Sequence, residues 1–110
     1  MSHYKYYITL DDGKWKFGLY PNNNNSFYVI SSNRFETYNE CLQARLDFIT
    51  QVSLRRENAF RIEKIGTSKY LLVFHYNNIE ITHIEKNATL CRKKMERIIK
   101  NINAPLEVQG

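Results

Sequence analysis

Apolar and polar residues alternate along the first 32 positions in a pattern that predicts three short strands. The run 4–10 is rich in β-branched and aromatic residues, and Asp11-Asp12-Gly13 follows it. An Asp-Gly pair between two such runs is typical of a hairpin turn, because glycine tolerates the positive φ that tight turns require. The run 14–20 alternates apolar with polar positions, as half-buried strands do. A third strand is predicted at 26–32, after a loop of proline and four asparagines.

Beyond residue 36 the apolar positions recur every three or four residues, which predicts an amphipathic helix. The segment Thr37-Tyr38-Asn39-Glu40 fits a capping box. In that motif the threonine oxygen accepts an orphan amide, and the glutamate reaches back to the N–H of the cap residue. The apolar stripe runs to Val52, and Arg45 is its only polar member. The first 52 residues therefore predict three strands and a helix.

The same order of elements returns after a charged connection. Strands are predicted at 60–65, 70–76 and 79–85, joined by a turn at 66–69 and a tight turn at 77–78. Asn87 is a suitable cap for a closing helix, whose apolar stripe ends at Ile102. Pro105 prevents the helix from continuing, because proline has no backbone N–H.

This order indicates a diverged duplication. Aligning the two cysteines also aligns the apolar stripes of the helices: Cys41 with Cys91, Phe48 with Ile98, Ile49 with Ile99 and Val52 with Ile102. One unit of about 45 residues is too small to bury an adequate core alone. We therefore predict an α+β fold in which two tandem βββα repeats pool one antiparallel sheet, with both helices on one face and pseudo-two-fold symmetry. The predicted organisation is a single domain, 1–110, with repeat one at 4–52, a connection at 53–58, repeat two at 59–102 and a frayed tail at 103–110.

Two segments of the first half resemble the YegP-like family. Residues 7–19, YITLDDGKWKFGL, look like its opening strand, Asp/Gly turn and alternating aromatics that end in leucine. Residues 32–37, followed by Cys41 and Ala44, are similar to its Ser-x-x-Tyr-x-Ser segment entering a helix of small residues. Asn22 to Asn25 stand where that family has Asn-Gly, and the second half matches only in the order of its elements. The resemblance implies tandem βββα units that share one sheet, and it implies no catalytic residues.

Length and composition favour one globular domain with a real core. The 110 residues are 43% apolar and include eight Tyr, six Phe and one Trp, which excludes intrinsic disorder. No apolar run approaches the length of a membrane span, and the N-terminus is too polar for a signal peptide. Two cysteines far apart in the sequence fit a reducing compartment. We expect a cytoplasmic protein with no membrane partner.

No arrangement of nucleophile, base and orienting group predicts catalysis. Cys41 and Cys91 lie on apolar helical stripes, where thiols are usually inert. His75 and His83 lie on adjacent predicted strands, where two side chains can come close in space. No Cys, Asp or Glu accompanies them at the spacing of metal ligands. We therefore predict a protein that is not an enzyme and that has no catalytic residue, metal or cofactor.

Positive charge is concentrated in the second helix. The net charge is +5, and residues 88–102 supply +4 of it through Arg92, Lys93, Lys94, Arg97 and Lys100 against Glu96 alone. Focused positive charge is what sequence-independent nucleic-acid binding relies on. The alternative interpretation is a solvated face that keeps a small protein soluble.

The first sheet offers a second surface. If Trp15, Phe17 and Leu19 face the helices, period-two alternation turns Lys14, Lys16 and Tyr20 outward. By the same period, either Lys5 and Tyr7 or Tyr4 and Tyr6 join them, with Tyr28 or Phe27 from the third strand. A face of tyrosine and lysine suits the stacking of single-stranded bases. It suits a protein partner equally, since tyrosine and arginine are enriched as interface anchors.

These observations predict a small, non-catalytic, basic binding protein whose partner is nucleic acid or another anionic molecule. The predicted binding residues are Lys14, Lys16, Tyr20, Tyr28, Arg92, Lys93, Arg97 and Lys100. The alternative is a protein-interaction module, such as an inhibitor or adaptor, including a phage-type antagonist of nucleic-acid-handling machinery. The sequence is compatible with a monomer and with a homodimer.

Overall fold

A computed structural model describes residues 3–22 and 29–107 of the chain. The order of elements is three strands, a helix, three strands and a helix, as the sequence predicts. The bounds are β1 (Tyr4–Asp11), β2 (Lys14–Pro21), β3 (Ile30–Ser31), α1 (Tyr38–Arg55), β4 (Phe60–Gly66), β5 (Lys69–Tyr76), β6 (Ile79–Glu85) and α2 (Ala88–Lys100), with a short 3₁₀ helix at Arg56–Ala59 between α1 and β4. Part of the predicted third strand, 26–28, lies outside the described residues.

The strands form two antiparallel three-stranded sheets, in the orders β1-β2-β3 and β4-β5-β6. The α+β class is confirmed, whereas the single pooled sheet is not. Between the two sheets, the backbone N–H of Asn33 donates to the Glu80 carbonyl at 3.1 Å. The return bond runs from the Glu80 N–H to the Asn33 side-chain oxygen at 2.8 Å. A continuous ladder needs backbone partners in both directions, so this contact joins the two sheets by their edges without merging them.

One hydrophobic core is shared by both sheets and both helices. Phe17 and Leu19 of β2 are fully buried, as the alternation predicts. Trp15 is half-buried and meets Tyr38 at the start of α1 edge-on, with the ring centroids 5.3 Å apart. Phe48 of α1 lies 5.7 Å from the ring of Phe17, which places α1 directly over the first sheet.

Both helices begin at the predicted cap residues. The Thr37 side chain accepts the amide of Glu40 at 3.1 Å, and its hydroxyl lies 3.2 Å from the Glu40 carboxylate. Asn87 accepts the amide of Leu90 at 2.9 Å. The first helix ends later than predicted, because α1 continues through Arg55 into residues assigned to the connection. Arg56 ends it with a left-handed backbone (φ 54°).

The segment after α2 packs against β1, so the prediction of a frayed tail is wrong for residues 103–107. The Tyr6 N–H donates to the Pro105 carbonyl, and the Glu107 N–H donates to the Tyr6 carbonyl, both at 2.8 Å. The outer edge of β1 offers unpaired backbone groups that attract such a partner. Ala104 is buried as a result.

Arg45, the polar member of the α1 stripe, is buried beside this segment. Its guanidinium lies 4.6 Å from the centre of the Tyr6 ring and donates to the Ala104 carbonyl at 3.3 Å. Loss of solvation lowers the pKa of Arg45, and the nearby oxygens of Tyr6 and Tyr38 oppose that effect. The side chain therefore ties α1 to the end of the chain while it remains part of the core.

Candidate nucleic-acid interface

The orientation of α2 follows from its buried residues. Cys91, Met95 and Ile98 lie against the second sheet and are buried. The opposite side of the helix faces solvent, and we call its four exposed cations the basic face of α2: Arg92, Lys93, Arg97 and Lys100. At 1.5 Å of rise per residue, Lys93 and Lys100 are roughly 10 Å apart along the helix axis. The basic face is therefore about two turns long.

The cations of the basic face have no acidic partner in the parts of the chain that the structure describes. Within residues 3–22 and 29–107, none of their four side chains forms an ion pair or a hydrogen bond. Glu96 shares the exposed side of the helix but lies beyond ion-pair distance of all four. Arg97 and Lys100 also occupy the last turn, where the helix dipole favours positive charge. The charge of this face is thus free to act on an external anion.

Lys94, the fifth basic residue of the helix, differs from the other four. It is only half exposed, and burial is the main cause that lowers its pKa. The positive charge of Arg97 lowers the pKa further, and the carboxylate of Glu85 opposes both effects. Lys94 therefore belongs to the boundary between α2 and the second sheet.

The predicted lysines of the first sheet are paired with acids. Lys14 Nζ lies 2.9 Å from the Glu36 carboxylate, and Lys16 Nζ lies 3.7 Å from that of Asp11. The Arg34 guanidinium also approaches Asp11, at 3.9 Å. Positive and negative groups alternate at this end of the hairpin, so Lys14 and Lys16 present much less net charge than the basic face of α2.

Tyr20 packs on its own sheet. Its ring meets that of Tyr7 edge-on, with the centroids 5.1 Å apart. It also covers Gly18, because a Cβ on this glycine would lie only 2.7 Å from a carbon of the Tyr20 ring. The glycine thus makes room for the aromatic pair. Tyr28, the remaining predicted residue of this surface, lies outside the described residues.

The structure does not bring the two predicted sets together. No hydrogen bond, ion pair or ring contact joins Lys14, Lys16 or Tyr20 to the basic face of α2 in the described parts of the chain. Local alternation identified which side chains face outward. Alternation gave no information about the pairing of these lysines with Glu36 and Asp11, because those ion pairs depend on the geometry of the turns.

The two strand histidines lie on opposite faces of the second sheet, so the adjacency of their strands does not bring them together. His83 is opposite Leu72, whose side chain lies in the core, whereas His75 is opposite Glu80 and is exposed. His83 instead pairs with Glu85, with its Nε2 atom 2.6 Å from the carboxylate. Residues 3–22 and 29–107 contain no group of three or more His, Cys, Asp or Glu side chains placed to hold a metal ion.

Both cysteines are free thiols within the core. Burial raises the pKa of Cys41 to about 11. Burial also raises the pKa of Cys91, with a further contribution from the carboxylate of Glu85. These thiols are therefore far from the reactive thiolate state.

No helix in the described residues is long and apolar enough to cross a membrane.

Comparison with solved structures identifies the fold. Over 96% of this chain and 91% of the other, it superposes on the solution structure of YegP, a protein of unknown function from E. coli, with a TM-score of 0.80 and 9% identity. The chain has a YegP-like fold. A UPF0339 protein from Shewanella oneidensis is also similar, with a TM-score of 0.69 and 12% identity over the same shares of the two chains. No family model and no curated protein matches the sequence.

Proposed function

We propose that this protein binds nucleic acid through the basic face of α2. The observation that carries the proposal is the contrast between its cations and those of the first sheet. The four side chains of the basic face are exposed and unpaired within the described residues, whereas Lys14 and Lys16 lie beside carboxylates. Unpaired surface cations gain most from phosphate, because binding releases the counterions condensed on the nucleic acid without breaking an existing ion pair.

The mechanism is sequence-independent contact with the phosphate backbone. Cations spread over two helical turns present a line of positive charge to successive phosphates. Charge-assisted bonds from arginine and lysine position such a ligand, but they read no bases. We therefore assign the binding to Arg92, Lys93, Arg97 and Lys100, with no catalytic step. Lys14, Lys16, Tyr20 and Tyr28 keep a secondary role in the proposal, as a sheet surface for other parts of a long ligand.

Other features of the chain support proposals about its origin and its location. The strands β2 and β5 share nearly the same sequence of buried and exposed positions, and the caps Thr37 and Asn87 lie 50 residues apart, as do Cys41 and Cys91. These parallels support a tandem duplication. The free thiols support a cytoplasmic location, where cysteines stay reduced.

A protein partner is the second candidate, and one apolar surface favours it. On the outer side of the second sheet, Leu71 is directly opposite Ile84. Ile84 is 54% exposed. Neighbouring apolar side chains on an open sheet suit the docking of another protein. Absence of oligonucleotide binding at low salt would favour this candidate over the first.

The deciding experiment compares two variants that lose the same charge. Fluorescence anisotropy of labelled oligonucleotides is measured with the triple variant Arg92→Gln, Lys93→Gln and Arg97→Gln. The matched control is Lys14→Gln, Lys16→Gln and Lys69→Gln, which also removes three positive charges. The proposal predicts a loss of at least about tenfold in affinity for the first variant and much less for the second. Equal losses would overturn the assignment to α2.

A further inference from the structure

A recess lies where the start of β1 meets the last turns of α2. Its volume is about 340 Å³, which is within the range of sites that hold small molecules. Polar, charged and aromatic side chains form its walls: His3, Tyr4, Glu96, Arg97, Lys100 and Asn101. The recess therefore contains two of the four cations of the basic face, beside an aromatic ring from a different element of the fold.

The chemistry of this recess is that of a nucleotide site. Tyr4 packs against the core and is half-buried, so its ring is held in place. Arg97 and Lys100 are exposed beside it. Proteins bind single strands by stacking bases on aromatic rings while nearby cations contact the phosphates. Tyr4, Arg97 and Lys100 place both kinds of contact within one concave surface.

We infer that the recess accepts one nucleotide of a single-stranded nucleic acid, with its base against Tyr4 and its phosphate at Arg97 and Lys100. This inference rests on the proposed function and adds a preference for single strands over duplexes, which the basic face alone does not give. A duplex keeps its bases stacked and paired, so it offers no base to the recess. The phosphates of a duplex still reach the basic face. Single strands should therefore bind more tightly than duplexes of equal charge.

Among the remaining polar groups of the recess, Glu96 carries a negative charge that should oppose the binding of a phosphate. The Asn101 side chain donates to the Arg97 carbonyl at 2.8 Å, so it is committed to the end of the helix. Glu96 is exposed on the rim and carries the same sign of charge as a phosphate. Removing that charge should strengthen binding, whereas removing a charge from a purely structural residue would not.

The test uses the full-length protein with labelled oligothymidylate, the corresponding oligouridylate and a blunt duplex as probes. Tyr4→Leu removes the aromatic ring and should weaken binding of both single strands by about tenfold or more, with little change for the duplex. Tyr4→Phe keeps the ring and should bind as the unmodified protein does. The control is Tyr38→Leu, since Tyr38 packs against Trp15 and does not line the recess.

Glu96→Gln tests the recess without disturbing the core, because Glu96 is exposed whereas Tyr4 packs against buried residues. We expect it to tighten the binding of the single strands by about two- to fivefold, as expected for removal of one like charge at a partly screened site. If single strands and duplex bind equally and neither Tyr4→Leu nor Glu96→Gln alters binding, this inference is overturned while the proposed function stands. If no probe binds at low salt, the proposed function is overturned, and the inference that rests on it is overturned with it.

Discussion

The rings of Phe48 and Phe74 meet edge-on at 4.8 Å, with an angle of 90° between their planes. Phe48 belongs to α1, and Phe74 belongs to the central strand of the second sheet. Because Phe48 also contacts Phe17 of the first sheet, a single side chain on α1 touches both halves of the chain. The two sheets therefore fold around one core even though their strands do not form one ladder.

Replacing Phe48 should destabilise the whole domain. Phe48→Ala removes a fully buried ring that contacts both sheets, and such changes cost about 3–5 kcal/mol in the free energy of unfolding. Urea denaturation followed by circular dichroism measures the loss. Leu46→Ala on the same helix is the control, because Leu46 is 47% exposed and its loss should cost well under 1 kcal/mol. Similar costs for the two variants would contradict the shared core.

The Tyr6 hydroxyl should hold the end of the chain on β1. It donates to the Ile102 carbonyl at 2.8 Å in a buried position. Tyr6→Phe leaves that carbonyl without its partner and should cost about 1–2 kcal/mol. Hydrogen exchange should show faster exchange of the Glu107 amide, whose bond is to the Tyr6 carbonyl. Tyr76→Phe is the control, because the Tyr76 hydroxyl has no hydrogen-bond partner in the described residues. Unchanged exchange at Glu107 in Tyr6→Phe would argue against this role.

The cap of α2 should contribute to stability through one bond. Asn87→Ala removes the acceptor of the Leu90 amide and should cost about 1 kcal/mol, whereas Asn87→Gly should cost only a few tenths. Both variants lack the acceptor, and glycine should cost less because it leaves the unpaired amides of the helix start more accessible to water. Thermal unfolding measured for the two variants side by side tests the ranking. The reverse order would show that Asn87 acts by another route.

Alkaline pH should weaken the fold through its buried thiols. Burial raises the pKa of Cys41 from its ordinary value of 9.0 to about 11, so the folded state favours the neutral thiol. The resulting stability is complete below the unfolded pKa and is lost as pH rises from about 9 to about 11, with a maximum of roughly 2–3 kcal/mol for this thiol.

Urea midpoints at about pH 8 and about pH 10.5 measure this loss. Cys41→Ala should show a smaller decline between the two pH values than the unmodified protein. Some decline should remain, because burial also raises the pKa values of Tyr6 and Cys91. Equal declines in the two proteins would contradict a neutral, buried Cys41.

The sequence predicted the local structure well because local signals determine it. Alternation oriented Phe17 and Leu19 inward, and the polar residues Thr37 and Asn87 marked the helix starts. The features that the sequence did not predict depend on contacts between residues that are far apart in the chain. The packing of Leu106 beside Tyr6 joins residues 100 positions apart. The two sheets meet through the side chain of Asn33 and not through a backbone ladder, and no periodicity reveals that bond.

For the candidate site too, local spacing predicted some features, and others depend on residues distant in the sequence. Helical spacing alone predicted that Lys93 and Arg97 would share an exposed face, and the structure places them there. The pairing of Lys14 with Glu36 requires the path of the chain after β3, so the sequence could not distinguish a paired lysine from a free one. Alternation made Tyr4 only one of two alternatives for the outward sheet face, because its place beside Arg97 in the recess follows from the position of α2.

The salt dependence of oligonucleotide binding tests the central claim most directly. The four exposed cations of the basic face predict that the logarithm of affinity falls with the logarithm of salt concentration at a slope of about −3 for a single strand, at ~0.7 per phosphate contact. The variant Arg92→Gln, Lys93→Gln and Arg97→Gln should reduce that slope to about −1. The variant Lys14→Gln, Lys16→Gln and Lys69→Gln should reduce the slope much less, because Lys14 and Lys16 lie beside carboxylates. The same slope in the α2 variant and the unmodified protein would contradict binding through the basic face of α2.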